Sequence, residues 1–377
     1  MIKLLKRIFV WLVDVFLPLQ KIILFESCPD LSDNAKPVFD ELIRRGLNQK
    51  YKLIWMCFEC STLSYPKIKN VIYFNVKQHR FKNFLLNHRA SLTICCNRFV
   101  GSNRKGQTTI YLCHGSPLKD ASSYYNAPNY VNYVIGTSEF LKPILADQLK
   151  VNPSIILTLG FPRTDILFDR PKKLSLIFGE YRRFVVWYPT VKKFKGGQKT
   201  GSVKPIQFLW NEEESNKINA AAKENSILII VKPHFAQLTD DIKHYSFSNI
   251  LFIDDEFFSN HQFTSYELIG SSDALLTDYS SIYSDYLLCN KPIGLIWEDI
   301  EEYSKNPGLV KEYDFICSGG EKLFNSNDLC AFLDRIGNGV DLYASERKKV
   351  LPYIHSFSDG KSTKRVVEKV LELVNDH

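Results

Sequence analysis

The stretch SSDALLTDYSSIYSDYLLCNKPIGL, residues 271–295, combines strand and helix patterns within one short segment. Ala274–Leu276 is a short apolar run of the kind found in buried parallel strands. Residues 282–289 have apolar side chains at helical spacing, and Asn290–Pro292 ends that helix before a second strand. Thr277–Ser281 therefore collects hydroxyls and backbone N–H groups where a strand ends and a helix begins. Open α/β sheets bind anionic ligands at such positions, although a helix cap without a ligand is the alternative.

The same alternation of strand and helix patterns extends through both halves of the chain. The clearest strand patterns are Lys21–Phe25, Tyr51–Cys57, Thr108–Cys113, Phe184–Tyr188 and Ile227–Val231. Strands that alternate with helices indicate parallel sheets with crossover helices. A chain of 377 residues exceeds what one core usually serves, which favours two domains. We predict an α/β fold of two Rossmann-like domains that face a cleft, as in GT-B glycosyltransferases, preceded by an amphipathic helix. The predicted bounds are 1–20 for the helix, 21–175 and 176–350 for the domains, and 351–377 for a C-terminal helix.

Composition indicates a folded protein with anionic partners. Hydrophobic residues make up 45% and charged residues 24% of the chain, and the net charge is +7. This balance favours phosphorylated substrates, an anionic polymer or a membrane surface. Nucleic acid is not a predicted partner, because no recognition motif accompanies the charge. The nine cysteines are mostly dispersed, as in a reducing cytoplasm. The basic span 170–204 contains one acidic residue, Glu180, and predicts a linker with a mobile loop at 192–204.

The first nineteen residues, Met1–Leu19, have the pattern of an interfacial helix. Charged residues are gathered on one face and apolar residues cover the rest. The apolar run 8–13 is much shorter than the ~20 residues that a membrane span needs, and no signal-peptide cleavage site follows. We predict that this helix lies on the cytoplasmic face of the membrane, against anionic headgroups. A helix packed on its own domain is the alternative.

Histidines follow two of the predicted strands. Thr108–Cys113 leads into His114, and Ile227–Val231 leads into Lys232 and His234. Ligands of α/β sheets bind at the carboxyl ends of the strands, so both imidazoles are candidates for chemistry. A histidine bonded only to loop backbone is the alternative for each.

Seven stretches, taken in order, resemble motifs of the CDP-glycerol:glycerophosphotransferase family, which comprises the teichoic-acid polymerases and primases. Thr277–Ser281 matches the T-D-Y-S-S motif of that family, and Cys113–Lys119 is similar to its W-H-G-T-P-L-K motif. Gly160–Asp165 resembles G-x-P-R-N-D. The others are Phe25–Ser27 with Asp33–Asn34, Tyr188–Thr190, Lys232–His234 and Asp359–Arg365. The resemblance extends from about Phe25 to Val370. This chain departs from it with Cys113 for Trp, Ser116 for Thr, and Phe235 where Pro is frequent.

The resemblance implies a GT-B-like enzyme of teichoic-acid or capsular-polymer synthesis. It implies transfer of glycerol phosphate from CDP-glycerol, or of ribitol phosphate from CDP-ribitol, to a polymeric or lipid-linked polyanionic acceptor, with release of CMP. The donor is a substrate, and no cofactor is implied. The acceptor side is expected in 21–175 and the donor side in 176–350.

Roles for single residues follow from this resemblance. His114 is the candidate general base, because imidazole titrates near the working pH. His234 is the second catalytic candidate and is assigned to the phosphates. The remaining substrate-binding candidates supply hydroxyls, charges or close backbone approach: Gly115, Ser116, Lys119, Arg163, Asp165, Pro189, Thr190, Lys232, Thr277, Asp278, Tyr279, Ser280 and Ser281. No acidic cluster resembles a divalent-metal site, so no metal is predicted.

Two other functions remain open on the sequence alone. A nucleotide-sugar glycosyltransferase or polysialyltransferase-type enzyme on the same fold would share the histidines at strand ends but transfer a sugar. A non-catalytic membrane or polymer-binding protein would retain polymer binding when His114 and His234 are both replaced.

Overall fold

The computed structural model describes residues 10–58, 66–120, 126–190, 206–209, 211–233 and 247–375. The strands in this part of the chain are β1 (Gln20–Glu26), β2 (Lys52–Cys57), β3 (Val71–Asn75), β4 (Ala90–Cys95), β5 (Thr108–Tyr111), β6 (Tyr133–Ile135), β7 (Ile156–Leu157), β8 (Arg183–Tyr188), β9 (Ile227–Val231), β10 (Ile250–Phe252), β11 (Ala274–Thr277), β12 (Ile293–Ile296) and β13 (Glu321–Leu323). The helices are α1 (Ala35–Arg44), α2 (Arg80–Arg89), α3 (Lys142–Leu149), α4 (Ser175–Phe178), α5 (Glu212–Glu224), α6 (Asp255–Asn260), α7 (Ser265–Ser271), α8 (Ile282–Tyr286), α9 (Ile300–Tyr303), α10 (Tyr313–Ile316), α11 (Ser326–Gly337), α12 (Ala344–Ile354) and α13 (Ser362–Asn375). Residues 10–16 are also helical.

The chain divides into two compact units. The first contains Met1–Ser116, Ser122–Asp165 and His355–His377, and the second contains Pro117–Ala121 and Ile166–Ile354. The main boundary falls ten residues before the predicted one at 175. The C-terminal segment, predicted as a separate element at 351–377, belongs largely to the first unit.

Hydrophobic packing explains why the C-terminal helix belongs to the first unit. Val366, Val367 and Val370 on α13 are fully buried in the same core as Ile23 and Phe39. Helix α13 thus covers one face of the first sheet, because its apolar stripe is buried only there.

The first unit is a seven-stranded sheet with the order β3-β2-β1-β4-β5-β6-β7. All of its pairings are parallel. Phe25, Phe39 and Trp55 pack as an aromatic cluster beneath it, with ring centroids 4.9 to 5.9 Å apart. The strand order changes direction at β1, since β2 lies on one side of it and β4 on the other. A crevice at the carboxyl ends of the strands is expected there.

The second unit is a six-stranded parallel sheet with the order β10-β9-β8-β11-β12-β13. Thr277 at the end of β11 is in register with Tyr188 at the end of β8. The helix expected over 282–289 begins as α8 and continues as a 3-10 turn, Leu287–Cys289, which ends at Asn290 with a φ of 48°. The two motifs 188–190 and 277–281 are therefore neighbours at one edge of this sheet.

The acidic side chain of the helix at residues 10–16 packs against the rest of the first unit. The Asp14 carboxylate lies 2.9 Å from Nδ1 of His88, and Arg104 donates to the Asp14 carbonyl at 2.9 Å. Trp11 and Phe16 are 59% and 70% exposed. Across the residues that the structure describes, none of the helices has the length and apolar character to cross a membrane.

Candidate active site

His114 lies in a loop after β5 that the buried Asn34 holds in place. Asn34 donates from Nδ2 to the carbonyl oxygens of Leu112 and Cys113 at 3.3 and 3.0 Å. Its Oδ1 accepts the backbone N–H of Arg163 at 3.2 Å. Cys113 has a φ of 57°, a left-handed backbone conformation that residues other than Gly, Asn and Asp rarely adopt. The hydrogen bonds of Asn34 hold the turn that places His114 at the sheet edge.

A tyrosine orients the imidazole itself. The hydroxyl of Tyr111, the last residue of β5, lies 3.3 Å from Nδ1 of His114. A contact at one ring nitrogen sets the orientation of the ring and the tautomer presented at the other. His114 is half-buried, as a base that must meet a substrate hydroxyl requires.

Arg163 supports this loop from below. Its Nη1 donates to Oδ1 of Asp33 and to the carbonyl oxygen of His114, both at 2.7 Å. The Arg163 and Asp33 side chains are only about one tenth exposed. The guanidinium is thus engaged with a carboxylate and with the backbone of His114. Its predicted substrate contact stays a prediction, and the geometry adds a positioning role.

Asp165 serves as a helix cap for α13. Its carboxylate accepts the backbone N–H groups of Ser362 and Thr363 at 2.9 and 2.7 Å. Gly160 approaches the same helix end so closely that a Cβ there would lie 2.4 Å from Oγ of Ser362. The two motifs 160–165 and 359–365 therefore form one structural element. The substrate contact predicted for Asp165 is untested, and its two carboxylate oxygens already bind the helix end.

The motif 113–119 is divided between the two units after Ser116. Gly115 is half-buried, and Oγ of the buried Ser116 has no hydrogen-bond partner among the described residues. Lys119 forms an antiparallel bridge with Leu309, and its Nζ lies 5.8 Å from the ring centroid of Tyr303. One short motif therefore supplies polar groups to each unit.

In the second unit, Asp278 joins two predicted motifs. Its carboxylate accepts the backbone N–H of Thr190 at 3.0 and 3.1 Å and that of Tyr279 at 2.8 Å. Oγ1 of Thr277 donates to the carbonyl oxygen of Tyr188 at 2.8 Å. Pro189 and Thr190 are thereby held beside residues 277–281. Asp278 is 3% exposed, so this buried carboxylate holds the loop through backbone N–H groups.

Tyr279 is part of a buried aromatic stack that the sequence did not reveal. Its ring lies 3.8 Å from that of Tyr303, and its hydroxyl donates to Asp299 at 2.8 Å. Burial, followed by the charge of Asp299, raises the pKa of Tyr279 far above that of a free phenol. Trp297 and Asp299 come directly after β12, beside β11. Their position at a strand end was the signal available in the sequence.

Neither serine of this motif makes a short capping hydrogen bond to helix α8. Ser281 occupies the position before α8, yet its side chain makes no capping hydrogen bond. Ser280 accepts from the backbone N–H of Ile282 only at 3.4 Å. Both side chains are half-buried. Ser281 is therefore not a side-chain cap of α8.

Lys232 follows β9, next to β8, and lies 3.0 Å from the Asp255 carboxylate. His234 and residues 192–204 lie outside the described residues, so the second histidine and the basic loop stay predictions. Within the described residues, no group of three or more His, Cys, Asp or Glu side chains could hold a metal ion.

Comparisons with known proteins agree on one family. The sequence profile of the CDP-glycerol:poly(glycerophosphate) glycerophosphotransferase family matches residues 10–372. A teichoic acid poly(ribitol-phosphate) polymerase of Bacillus spizizenii is 25% identical over 65% of this chain and 38% of its own length. A teichoic acid glycerol-phosphate transferase of Staphylococcus aureus is 24% identical over 94% of both proteins. The chain spans 38% to 61% of the length of three of the curated relatives that it matches.

A solved structure of the wall teichoic acid polymerase TagF has the same fold. It superposes with a TM-score of 0.77 at 18% identity, covering 98% of this chain and 93% of that chain. At this identity the likeness concerns the arrangement of strands and helices.

Proposed function

Because this chain belongs to the CDP-glycerol:poly(glycerophosphate) glycerophosphotransferase family, we propose that it transfers a polyol phosphate from a CDP-activated donor to an acceptor hydroxyl. The donor is CDP-glycerol or CDP-ribitol, and the acceptor is a teichoic-acid-like, capsular or lipid-linked polyanion. The observation that carries the proposal is the placement of the family motifs at the carboxyl ends of parallel strands, with His114 after β5 and Thr277–Ser281 after β11.

The proposed reaction is an in-line displacement at the phosphorus that carries the polyol. His114 takes the proton of the acceptor hydroxyl while that oxygen bonds to phosphorus. The bond from this phosphorus to the bridging oxygen breaks, and CMP leaves with the electron pair. Charge on the phosphoryl oxygens needs N–H or cationic donors, which Lys232, His234 and the segment Tyr279–Ser281 are proposed to supply.

A donor screen tests this proposal. Purified protein is incubated with a lipid-linked or oligomeric acceptor and with CDP-glycerol, CDP-ribitol or a nucleotide sugar, and nucleotide release is measured. CMP release from a CDP-polyol, dependent on acceptor, is expected. Turnover of the nucleotide sugar alone would favour the glycosyltransferase alternative.

Replacing both Ser280 and Ser281 with Ala is expected to weaken donor binding about ten- to a hundredfold. Two hydroxyl hydrogen bonds to a charged phosphate are lost, at ~0.5–1.5 kcal/mol or more each. Because Ser281 makes no cap, the free energy of unfolding should fall by at most about 1 kcal/mol. Calorimetric titration of CDP-glycerol beside a thermal melt measures both. A lowered melting temperature with unchanged affinity would make these serines structural.

We also propose that the protein binds peripherally to the cytoplasmic face of the membrane through residues 10–16. Asp14 is held by His88 and Arg104, while Trp11 and Phe16 are exposed on the same helix. Helix α2 adds basic residues and the 64% exposed Phe81 to the same unit. Exposed apolar side chains in a unit that also carries basic ones are suited to the headgroup boundary of an anionic bilayer.

Replacing Trp11 and Phe16 with Ser is expected to abolish most sedimentation with anionic vesicles. Each exposed aromatic side chain contributes on the order of 1.5–3 kcal/mol when it is buried in an apolar medium. Leu176→Ser, a matched change at an 82% exposed apolar residue of the second unit, should leave sedimentation unchanged. Equal sedimentation of the double variant and the wild type would contradict this membrane contact. Because both side chains are exposed, the melting temperature should hardly change.

A further inference from the structure

The carboxyl ends of β1 and β4 carry polar groups to which the proposed mechanism gives no role. These two strands are paired at the point where the strand order reverses, from β2 on one side to β5 on the other. Such switch points are the usual ligand positions of open parallel sheets. The four strands and the loop after β4 all belong to the first unit.

Glu26, the last residue of β1, organises the loop at this switch point. Its side chain is fully buried, and Oε2 accepts the backbone N–H groups of Cys96, Asn97 and Arg98 at 3.2, 3.0 and 2.9 Å. Three successive N–H groups around one oxygen form a nest of the kind that binds anions. The chain's own carboxylate fills this nest and thereby fixes the loop that carries Arg98.

Arg98 presents a restrained, partly exposed cation at the same switch point. Its guanidinium lies 4.5 Å from the ring centroid of Phe58, and Nη1 lies 3.5 Å from Oε1 of Glu26. The side chain is nevertheless 39% exposed. Stacking on a ring and contact with a carboxylate limit the rotamers of the guanidinium, and its planar fork matches the oxygens of a phosphate.

Arg98 is linked to the candidate base through two aromatic residues. Phe99 packs on Tyr111 with ring centroids 4.7 Å apart, and the Tyr111 hydroxyl contacts His114. Strands β4 and β5 are paired, so their loops leave the sheet side by side. The loop that carries Arg98 and the loop that carries His114 are therefore neighbours at the same end of the first sheet.

We propose that Arg98 binds a phosphodiester of the acceptor chain, one polyol away from the attacking hydroxyl. This inference rests on the proposed function. In a polyol-phosphate chain, the terminal polyol carries the attacking hydroxyl at one end and a phosphodiester at the other. The Arg98 subsite would hold that anion and so select acceptors that already carry a polyol phosphate.

Direct binding tests the subsite without relying on catalysis. A short oligo(glycerol phosphate) and a neutral oligoglycerol of equal length are titrated into the full chain by calorimetry. The wild type should bind the anionic oligomer and not the neutral one. Arg98→Gln should weaken binding about tenfold or more, because a hydrogen-bonded charge is lost. Arg98→Lys should weaken it less, since it keeps the charge but not the fork. Arg44→Gln removes an arginine that also pairs with a glutamate and should have no effect.

Kinetic constants separate this inference from the proposed function. Arg98→Gln should raise KM for the acceptor while KM for CDP-glycerol stays as in the wild type. Equal oligomer affinity of Arg98→Gln and Arg44→Gln would overturn the subsite, even if the enzyme releases CMP normally. If the wild type releases no CMP, the proposed function is contradicted. If Arg98→Gln still loses oligomer binding in that case, the subsite is supported. Should Arg98→Gln unfold, an oligomer affinity of Arg98→Lys equal to that of the wild type would overturn recognition of the phosphate by the guanidinium.

Discussion

Replacing His114 with Ala is expected to lower polyol-phosphate transfer about 10²–10⁴-fold, the usual effect of removing a general base. The variant loses the imidazole ring nitrogens. Asn34 holds the loop through the backbone carbonyl groups of Leu112 and Cys113, which the variant keeps, so the loop should persist. Donor affinity should therefore change little. CMP release in the presence of acceptor, measured beside CDP-glycerol titration, checks both expectations.

Tyr111→Phe is the matched control for this prediction. It removes the hydroxyl beside Nδ1 of His114 and keeps the ring that packs on Phe99. Loss of one neutral hydrogen bond predicts a two- to tenfold lower rate and an altered pH–rate profile. Near wild-type transfer by His114→Ala would contradict the assignment of the base.

Replacing Glu26 with Ala is expected to lower the free energy of unfolding by about 3–5 kcal/mol. Three backbone N–H groups lose their common acceptor, and Arg98 loses its carboxylate partner. Glu26→Gln keeps an acceptor oxygen and should lose no more than about 1 kcal/mol. Urea unfolding of the three proteins measures this ranking, and equal midpoints for Ala and Gln would contradict the nest.

Glu26 should also make stability depend on pH. Burial raises the pKa of this carboxyl above its ordinary value of 4.5, although the three N–H groups oppose the shift. The folded state then holds a proton that the unfolded chain has already released. The extra stability that this bound proton provides at low pH is therefore lost as pH rises from the unfolded pKa through the folded one. This component should be missing from the unfolding curves of Glu26→Gln.

Local sequence patterns predicted the elements of this fold well. The strand pattern 227–231 corresponds to β9 residue for residue, and the predicted parallel α/β organisation is confirmed in both sheets. The family resemblance is also confirmed, by the match over residues 10–372. Strands and helices depend on neighbouring residues within one strand or one turn, and the spacing of apolar side chains along the sequence indicates them directly.

Motif residues were predicted as a set, but their partners were not. Arg163 pairs with Asp33, 130 residues earlier, and Asp165 caps a helix end 197 residues later. Charged side chains of these types can bind a substrate or hold the scaffold. The residues that surround them in the sequence do not distinguish the two uses. The sequence likewise placed Asn34 in a motif without revealing that it holds the His114 loop.

The chain therefore encodes where each strand ends and which reactive groups stand there, because apolar periodicity and turn residues act over a few positions. Which of those groups face a ligand and which hold the scaffold depends on contacts between distant segments. Asp165 and Glu26 bind backbone N–H groups because folding brings α13 and the loop after β4 beside them. A buried carboxylate requires such donors, and only the folded chain determines which segment provides them.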